Sequence, residues 1–277
     1  MLASDVNYLA QLLKRRTGIA INPSKTSQIA MRLAPVARRF GFRNTDELMR
    51  DLPHARESLV RTVIEAMTTN DTWFFRDRAP FEQFREIILP DLLSRRARSR
   101  KLRIWCAAAS TGQEAYTLAM ILAEARLAES GWSVELVASD INSECIARAK
   151  EGLYSSFEIQ RGLSVKRLIT YFTQENENWR ICERLRRMVK FRVFNLLDDY
   201  GVFGEMDIIF CRNVLLYFEP QTKARVLERL SGTLAPDGYL VVGTAEIPHE
   251  ITTSFERLPG TRGLYIKPQM GYRYAVL

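Results

Sequence analysis

The chain is 277 residues long, 47% hydrophobic and 26% charged, enough apolar material for one large or two modest globular domains. No apolar run reaches the roughly 18 residues of a membrane span, and the start, MLASDVNYLAQLLKRRTGIA, lacks the pattern of a signal peptide, so a cytoplasmic location is expected. Four cysteines without a C-x-x-C pair and only two histidines argue against a zinc cluster or a histidine-built triad, so no metal is expected. The net charge of +8 is uneven, residues 1–70 holding 11 Lys/Arg against 6 Asp/Glu.

Residues 2–16 read as a helix with Leu2, Val6, Leu9, Leu12 and Leu13 on one stripe, closed by Gly18. A second helix fits 24–40, with Arg32, Arg38 and Arg39 largely outward and Pro35 expected to bend or divide it. Thr45 is the expected cap of a third, and 56–67 continues helical. The result is a small basic all-helical domain, 1–68, whose arginines are either ordinary solvation or a face for an acidic partner.

Residues 69–98 form a linker and aromatic segment. Trp73, Phe74, Phe75, Phe81 and Phe84 fall close together with Arg76 among them, and a guanidinium in apolar surroundings needs a partner, most naturally a carboxylate. A helix is expected over 80–93, then a basic exposed run, RRARSRK.

Next comes the stretch KLRIWCAAASTGQEAYTLAM. Leu102–Ala107 has the character of a buried parallel strand, small residues 108–112 make a turn, and Ser110 to Gln113 or Thr111 to Glu114 has capping-box spacing for a helix. Strand, small turn and helix form a nucleotide-site layout, but neither G-x-G-x-x-G nor G-K-[ST] occurs.

A second strand, 134–139, ends at Asp140, which either grips ribose hydroxyls or caps the helix NSECIARAK, with Asn142 and Ser143 competing for the capping role. Residues 151–187 read as a loop or small excursion. Further strands end at Asn195 and at Arg212 and Asn213, a helix starts at Pro220, the turn APDG leads to YLVVGT, and GLYIK closes the pattern. The alternation from 101 to 243 predicts an α/β fold: a doubly wound, Rossmann-like sheet in residues 99–277 behind the all-α domain.

The segments TNDTWFFRD, WCAAASTGQEAYTLAM, ASDIN, FEIQRGL, the NLL at 195–197 and CRNVLLYF, in this order and spacing, resemble the CheR-type chemotaxis receptor methyltransferases. The resemblance implies a cytoplasmic protein-glutamate O-methyltransferase. It would use S-adenosylmethionine, release S-adenosylhomocysteine and act as a monomer on the helical bundle of methyl-accepting receptors, docked by the basic helices. Matched position by position, it implies cofactor contacts at Asn70, Thr72 and Arg76. Glu114 would lie by the methionine amino group, Asp140 on the ribose, Asn195 and Leu196 on the adenine side, with Arg212 and Asn213 as the last binding pair. Arg76 and Tyr217 would stand beside the transferred methyl, with Trp73, Phe74, Phe75 and Tyr217 keeping the site dry. Family members that tether to a C-terminal receptor pentapeptide use a small antiparallel excursion with a glycine-containing loop. The corresponding residues 171–192 hold no glycine, so that tether is not expected here.

Two rivals differ in class. A nucleic-acid methyltransferase would carry D/N-P-P-Y/F where this chain has CRNVLLYF, and no RNA-binding module is visible. A non-catalytic S-adenosylmethionine-binding scaffold would have no need of Arg76 and Tyr217.

Overall fold

The computed structural model describes residues 2–268, so residues 269–277 of the expected catalytic unit lie outside the described residues. The N-terminal unit comprises α1 (Ala3–Thr17), α2 (Thr26–Arg39), α3 (Thr45–Asp51) and α4 (Glu57–Met67). Apart from Leu2, which precedes α1 and is exposed, the predicted stripes meet: Val6, Leu9 and Leu13 pack with Ile29, Leu33, Val36, Leu59 and Val63 in one buried cluster. Gly18, left-handed at φ 78°, closes α1. The helix α2 runs through Pro35 undivided. Asn44 rather than Thr45 caps α3, accepting from the Glu47 N–H, because a cap must be extended while Thr45 is already helical.

Two helices, α5 (Ala79–Gln83) and α6 (Leu89–Arg95), are joined by a π-helical turn, Phe84–Ile88. The turn ends two residues before Pro90, which has no N–H to continue an ordinary ladder. Phe81, Phe84, Ile88 and Leu92 are buried in the sheet core, so this stretch packs as a covering layer of the second unit.

That unit follows as β1 (Lys101–Ala107), α7 (Gln113–Glu124), β2 (Ser133–Asp140), α8 (Ser143–Glu151), β3 (Leu153–Ser155), α9 (Ser156–Gln160), α10 (Val165–Tyr171), β4 (Phe172–Glu175), β5 (Asn178–Ile181), α11 (Glu183–Met188), β6 (Val189–Val193), β7 (Met206–Cys211), α12 (Pro220–Thr233), β8 (Leu234–Val242), β9 (Glu256–Arg257) and β10 (Leu264–Ile266). The main sheet has the order β6-β2-β1-β7-β8-β10-β9. Its first five strands are parallel, whereas β10 and β9 are antiparallel additions. Strand alternation divides the core: Leu102, Ile104 and Cys106 face one layer, Trp105 and Ala107 the other.

Three local expectations are corrected. APDG is not a turn before the last long strand but part of β8, absorbed by a register irregularity opposite Met206 and Ile208. The basic run after α6 is not wholly exposed. Arg96 bonds Asp207 at 2.9 Å and Asp237 at 2.6 Å, and these carboxylates hold its guanidinium above its ordinary pKa. The excursion is an antiparallel sheet of order β3-β5-β4 between residues 153 and 181, because the chain has rejoined the main sheet by β6. Its hairpin turns at Asn176, left-handed at φ 56°, a conformation asparagine tolerates in place of glycine.

The two units are sewn together. Glu65 of α4, buried, accepts from the Ser143 N–H at 2.9 Å and hydroxyl at 2.6 Å, and Asn142 donates back to the Glu65 carbonyl at 3.2 Å. Arg32 turns inward to the Met67 carbonyl at 2.7 Å, and Arg39 pairs with Glu144 at 2.7 Å, so neither is a free outward charge.

Gly162 shows how tightly the excursion is seated on the 73–76 segment. At φ 92°, a Cβ there would stand 2.0 Å from the Phe74 carbonyl oxygen. Gly162→Ala is therefore expected to cost more than about 2 kcal/mol, lowering the melting midpoint by several degrees in a thermal scan.

Candidate active site

The sheet order reverses beside β1, and the crevice beyond the carboxyl ends of β1, β2 and β7 is where such a sheet takes its ligand. Between β1 and α7 the chain makes a contorted turn, with Ala108 at φ 58°, Ser110 at φ 51° and Gly112 at φ 94°. The expected capping box does not form. Gly112 occupies the cap position without a side-chain bond, while the Ser110 hydroxyl donates to the Asn70 carbonyl at 2.8 Å and Thr111 to the Gln113 side chain at 2.8 Å. Left-handed non-glycine residues of this kind are held only where surrounding structure demands them.

Asp140, at the tip of β2, is what demands it. One carboxylate oxygen accepts from the Ser110 N–H at 2.8 Å and the other from the Asn142 N–H at 2.9 Å. Asp140 is 7% exposed, and burial pushes its carboxyl above the ordinary value, with backbone N–H donors opposing. It does not cap α8. Asn142 does that, accepting from the Glu144 and Cys145 N–H groups.

Arg212, with a side chain 1% exposed, holds two other parts together. Its guanidinium donates to Glu114 at 2.5 Å, to Asp77 at 2.8 Å and to the Arg76 carbonyl at 3.1 Å. Glu114, in the first turn of α7, receives a further bond from the Cys106 thiol at 3.2 Å. Burial, and next the charge of Glu114, push that thiol well above its ordinary pKa, so it stays a donor. The segment gripped through Asp77 is itself strained, with Phe75 at φ 55°, Asp77 at φ 68° and Arg78 at φ 47°.

Arg76 leans over the Trp73 ring, 4.4 Å from its centroid, and donates to the Asp71 carbonyl at 2.7 Å. The opposite neighbour is Arg161 of the FEIQRGL stretch, 3.8 Å from the same ring centroid and 3.0 Å from Asp71. Asn195 is held by the helical unit, donating to the Arg16 carbonyl at 2.6 Å. That unit also reaches the other rim: Ala20 donates to the Tyr217 carbonyl at 2.9 Å, and Ile19 bridges Phe218.

These groups surround one cleft of about 850 Å³, its open mouth included. Asn70, Thr72, Arg76, Glu114, Asp140, Asn195, Leu196, Arg212, Asn213 and Tyr217 all line it. Trp73, Phe74 and Phe75 do not. Phe74 is sealed edge-on between Tyr154 and Phe172, and the aromatic lining comes instead from Phe194, Tyr217 and Phe218. Sequence reasoning missed Thr17 and Ile19, which only packing between the units brings to the cleft, and Asp77, which stands inside the TNDTWFFRD stretch without an assigned role. It also missed Glu246, which organises residues 213–216 through their N–H groups. An acid just past the end of β8 was the available signal.

The donor set suits S-adenosylmethionine. At the cleft, Arg76 Nε has no hydrogen-bond partner among the described residues, as expected where an anionic group belongs. The buried carboxylates Glu114 and Asp140 favour cationic and hydroxyl-bearing groups. No group of side chains among the described residues could hold a metal ion, and no helix there is long and apolar enough to cross a membrane.

A raised carboxyl pKa has a definite sign in stability. In the window between the ordinary value and the raised one, folded Asp140 binds its proton more readily than the unfolded chain, so its contribution falls as pH rises through that window. Denaturant titrations of wild type and Asp140→Asn from pH 7 down to pH 4 are expected to shift the stability difference in favour of wild type as pH falls.

Residues 4–68 match the family description CheR methyltransferase, all-alpha domain, and residues 70–264 match CheR methyltransferase, SAM binding domain. Over 270 residues the chain is 35% identical to a chemotaxis protein methyltransferase of Vibrio parahaemolyticus, covering 95% of this chain and 97% of that one. It is 36% identical to one of Vibrio anguillarum, again over 95% and 97%, and 35% identical to chemotaxis protein methyltransferase 1 of Pseudomonas aeruginosa, over 94% and 96%. With both domains matched in order and relatives aligned along nearly its whole length, the chain belongs to the CheR methyltransferase family, an all-α domain followed by an S-adenosylmethionine-binding α/β domain.

Proposed function

We propose that this protein transfers a methyl group from S-adenosylmethionine to glutamate carboxylates of methyl-accepting chemotaxis receptors in the cytoplasm, giving glutamate methyl esters and S-adenosylhomocysteine. The observation that carries the reading is the single cleft in which Arg76 and Tyr217 stand at the rim of a site lined by buried acids. Relatives named chemotaxis protein methyltransferases support it.

S-adenosylmethionine, when bound, supplies an electrophilic methyl on a sulfonium. The residues proposed to hold it are Asn70, Thr72 and Arg76 in the segment before the sheet, Glu114 for the amino group and Asp140 for the ribose. Asn195 and Leu196 serve the adenine side, and Arg212 and Asn213 complete the set. Arg212 acts mostly through Glu114, since its side chain is nearly inaccessible.

An acceptor glutamate, with an ordinary pKa of about 4.3, is already a nucleophile at neutral pH, so the site needs no general base. What it must do is orient the carboxylate and exclude water, which stabilises separated charges better than the charge-dispersed transition state. Arg76 is braced for orientation. Its guanidinium is fixed by Trp73 and the Asp71 carbonyl, yet Nε has no hydrogen-bond partner among the described residues. The Tyr217 hydroxyl makes no hydrogen bond among the described residues and is available to the oxygen that does not attack.

Docking is assigned to the helical domain. With Arg32 bonded to the Met67 carbonyl and Arg39 ion-paired with Glu144, the exposed cations of this domain without an ion pair among the described residues are Arg15, Lys25, Arg38, Arg43, Arg50, Arg56 and Arg61. They suit a glutamate-rich helical bundle approached by a monomer. A receptor pentapeptide tether is not part of the proposal, because the β4–β5 turn carries Asn176 and Glu177 in place of a glycine-containing loop.

The test is transfer of labelled methyl to purified receptor cytoplasmic fragments. Label released by alkali as methanol is expected, and label stable to alkali, or found only in nucleic acid, would overturn the reading. In the same assay Arg76→Ala is expected to lose at least 100-fold in kcat while calorimetric affinity for S-adenosylmethionine falls less than about 5-fold; equal losses would make Arg76 a binding residue only. Raising salt from 50 to 500 mM is expected to raise KM for the receptor severalfold with kcat nearly unchanged, because exposed charge attraction is screened.

A further inference from the structure

Glu246 follows the carboxyl end of β8 and is 5% exposed. Its carboxylate receives five backbone N–H groups: Gly243 at 2.7 Å and Asn213 at 2.8 Å on one oxygen, and Val214 at 2.9 Å, Leu215 at 2.7 Å and Leu216 at 3.3 Å on the other. No cation pairs with it among the described residues, so these N–H groups are what compensates the buried charge.

Four of the five donors are consecutive. They belong to the chain leaving β7, which must turn sharply to bring Asn213, Val214 and Tyr217 to the cleft. Asn213 is left-handed at φ 57°, and the first N–H groups of the short helical turn Leu215–Tyr217 have no helical partner of their own. The carboxylate is the partner that the turn lacks. A separate cavity lined by Leu215, Leu216, Lys223, Ala245 and Glu246 itself adjoins the turn.

We propose that Glu246 is a positioning residue for methyl transfer: by gathering the N–H groups of residues 213–216 it fixes the turn that presents Asn213 and Tyr217 to the cleft. This rests on the methyltransferase reading of the site. Glu246 touches neither donor nor acceptor and acts through the backbone it holds.

A residue needed only for folding would lower the amount of folded enzyme and leave the turnover of each folded molecule unchanged. Glu246→Gln keeps size and one acceptor oxygen but sets an NH₂ group against N–H donors. Normalised to the folded fraction, its kcat is expected to fall 30-fold or more with KM for the receptor within 3-fold of wild type. Glu246→Gly should lose more, and formate, a carboxylate small enough to enter through the adjoining cavity, is expected to restore its kcat at least 10-fold while leaving wild type and Tyr217→Phe unaffected. Wild-type turnover per folded molecule in Glu246→Gln would overturn the proposal, as would a Glu246→Gly enzyme that formate stabilises against heat without restoring turnover. If Glu246→Gly does not fold, Glu246→Gln assayed below its melting temperature decides. Wild type run in parallel separates the two failures. An inactive wild type counts against the functional reading, and calorimetry then decides the role of Glu246, S-adenosylmethionine binding at least 10-fold weaker in Glu246→Gln being expected and equal binding overturning it.

Discussion

One buried guanidinium governs the shape of this site. Arg212 lies at the end of β7, between an acid in the first turn of α7 and an acid in the strained 75–78 segment. Neither acid is near it in sequence. A charge so deeply buried is tolerated only when paired and hydrogen-bonded, and removing one member leaves the rest uncompensated at a cost of about 3–5 kcal/mol. The cluster is thus less a source of net stability than a device for fixing geometry: the segment carrying Arg76 rests where Arg212 and Asp77 put it. With one cation against Glu114 and Asp77, the cluster keeps a surplus negative charge, which suits a cofactor bearing a sulfonium and an ammonium.

The helical domain is a wall of the same cleft as well as a docking candidate. Glu65 bonds the start of α8, Arg16 receives Asn195, and the Ile19–Ala20 backbone meets the Tyr217–Phe218 turn. Displacing the helical domain would therefore disturb both Asn195 and the turn bearing Tyr217. The arginines that first suggest an outward basic face fall into two groups, since Arg32 bonds the carbonyls at the end of α4 and Arg39 pairs with Glu144 across the two units, leaving a smaller set unpaired.

Much of the fold was legible because it depends on short-range patterns. The leucine stripes of α1 and α2, the apolar runs that became β1, β2 and β7, and Pro220 at the start of α12 all lie where periodicity and turn chemistry place them. The polar residues at strand ends converge on one crevice because a parallel sheet brings its carboxyl ends together. Illegible were partnerships over long sequence separation. Nothing local says that Asp77 meets a residue on β7, that Ser110 serves Asn70 rather than a helix cap, or that Arg96 finds two acids. The aromatic segment misled for a related reason: a run of rings says that something is buried, and here Phe74 is buried under the excursion rather than at the cleft.

The most direct test of this account is a paired measurement on Arg212→Met, which preserves bulk and removes the charge. Equilibrium unfolding and calorimetric titration with S-adenosylmethionine should both change, with stability lower by about 3–5 kcal/mol and cofactor affinity reduced at least 10-fold. A variant as stable as wild type that binds the cofactor equally well would contradict the claim that this guanidinium holds the site together.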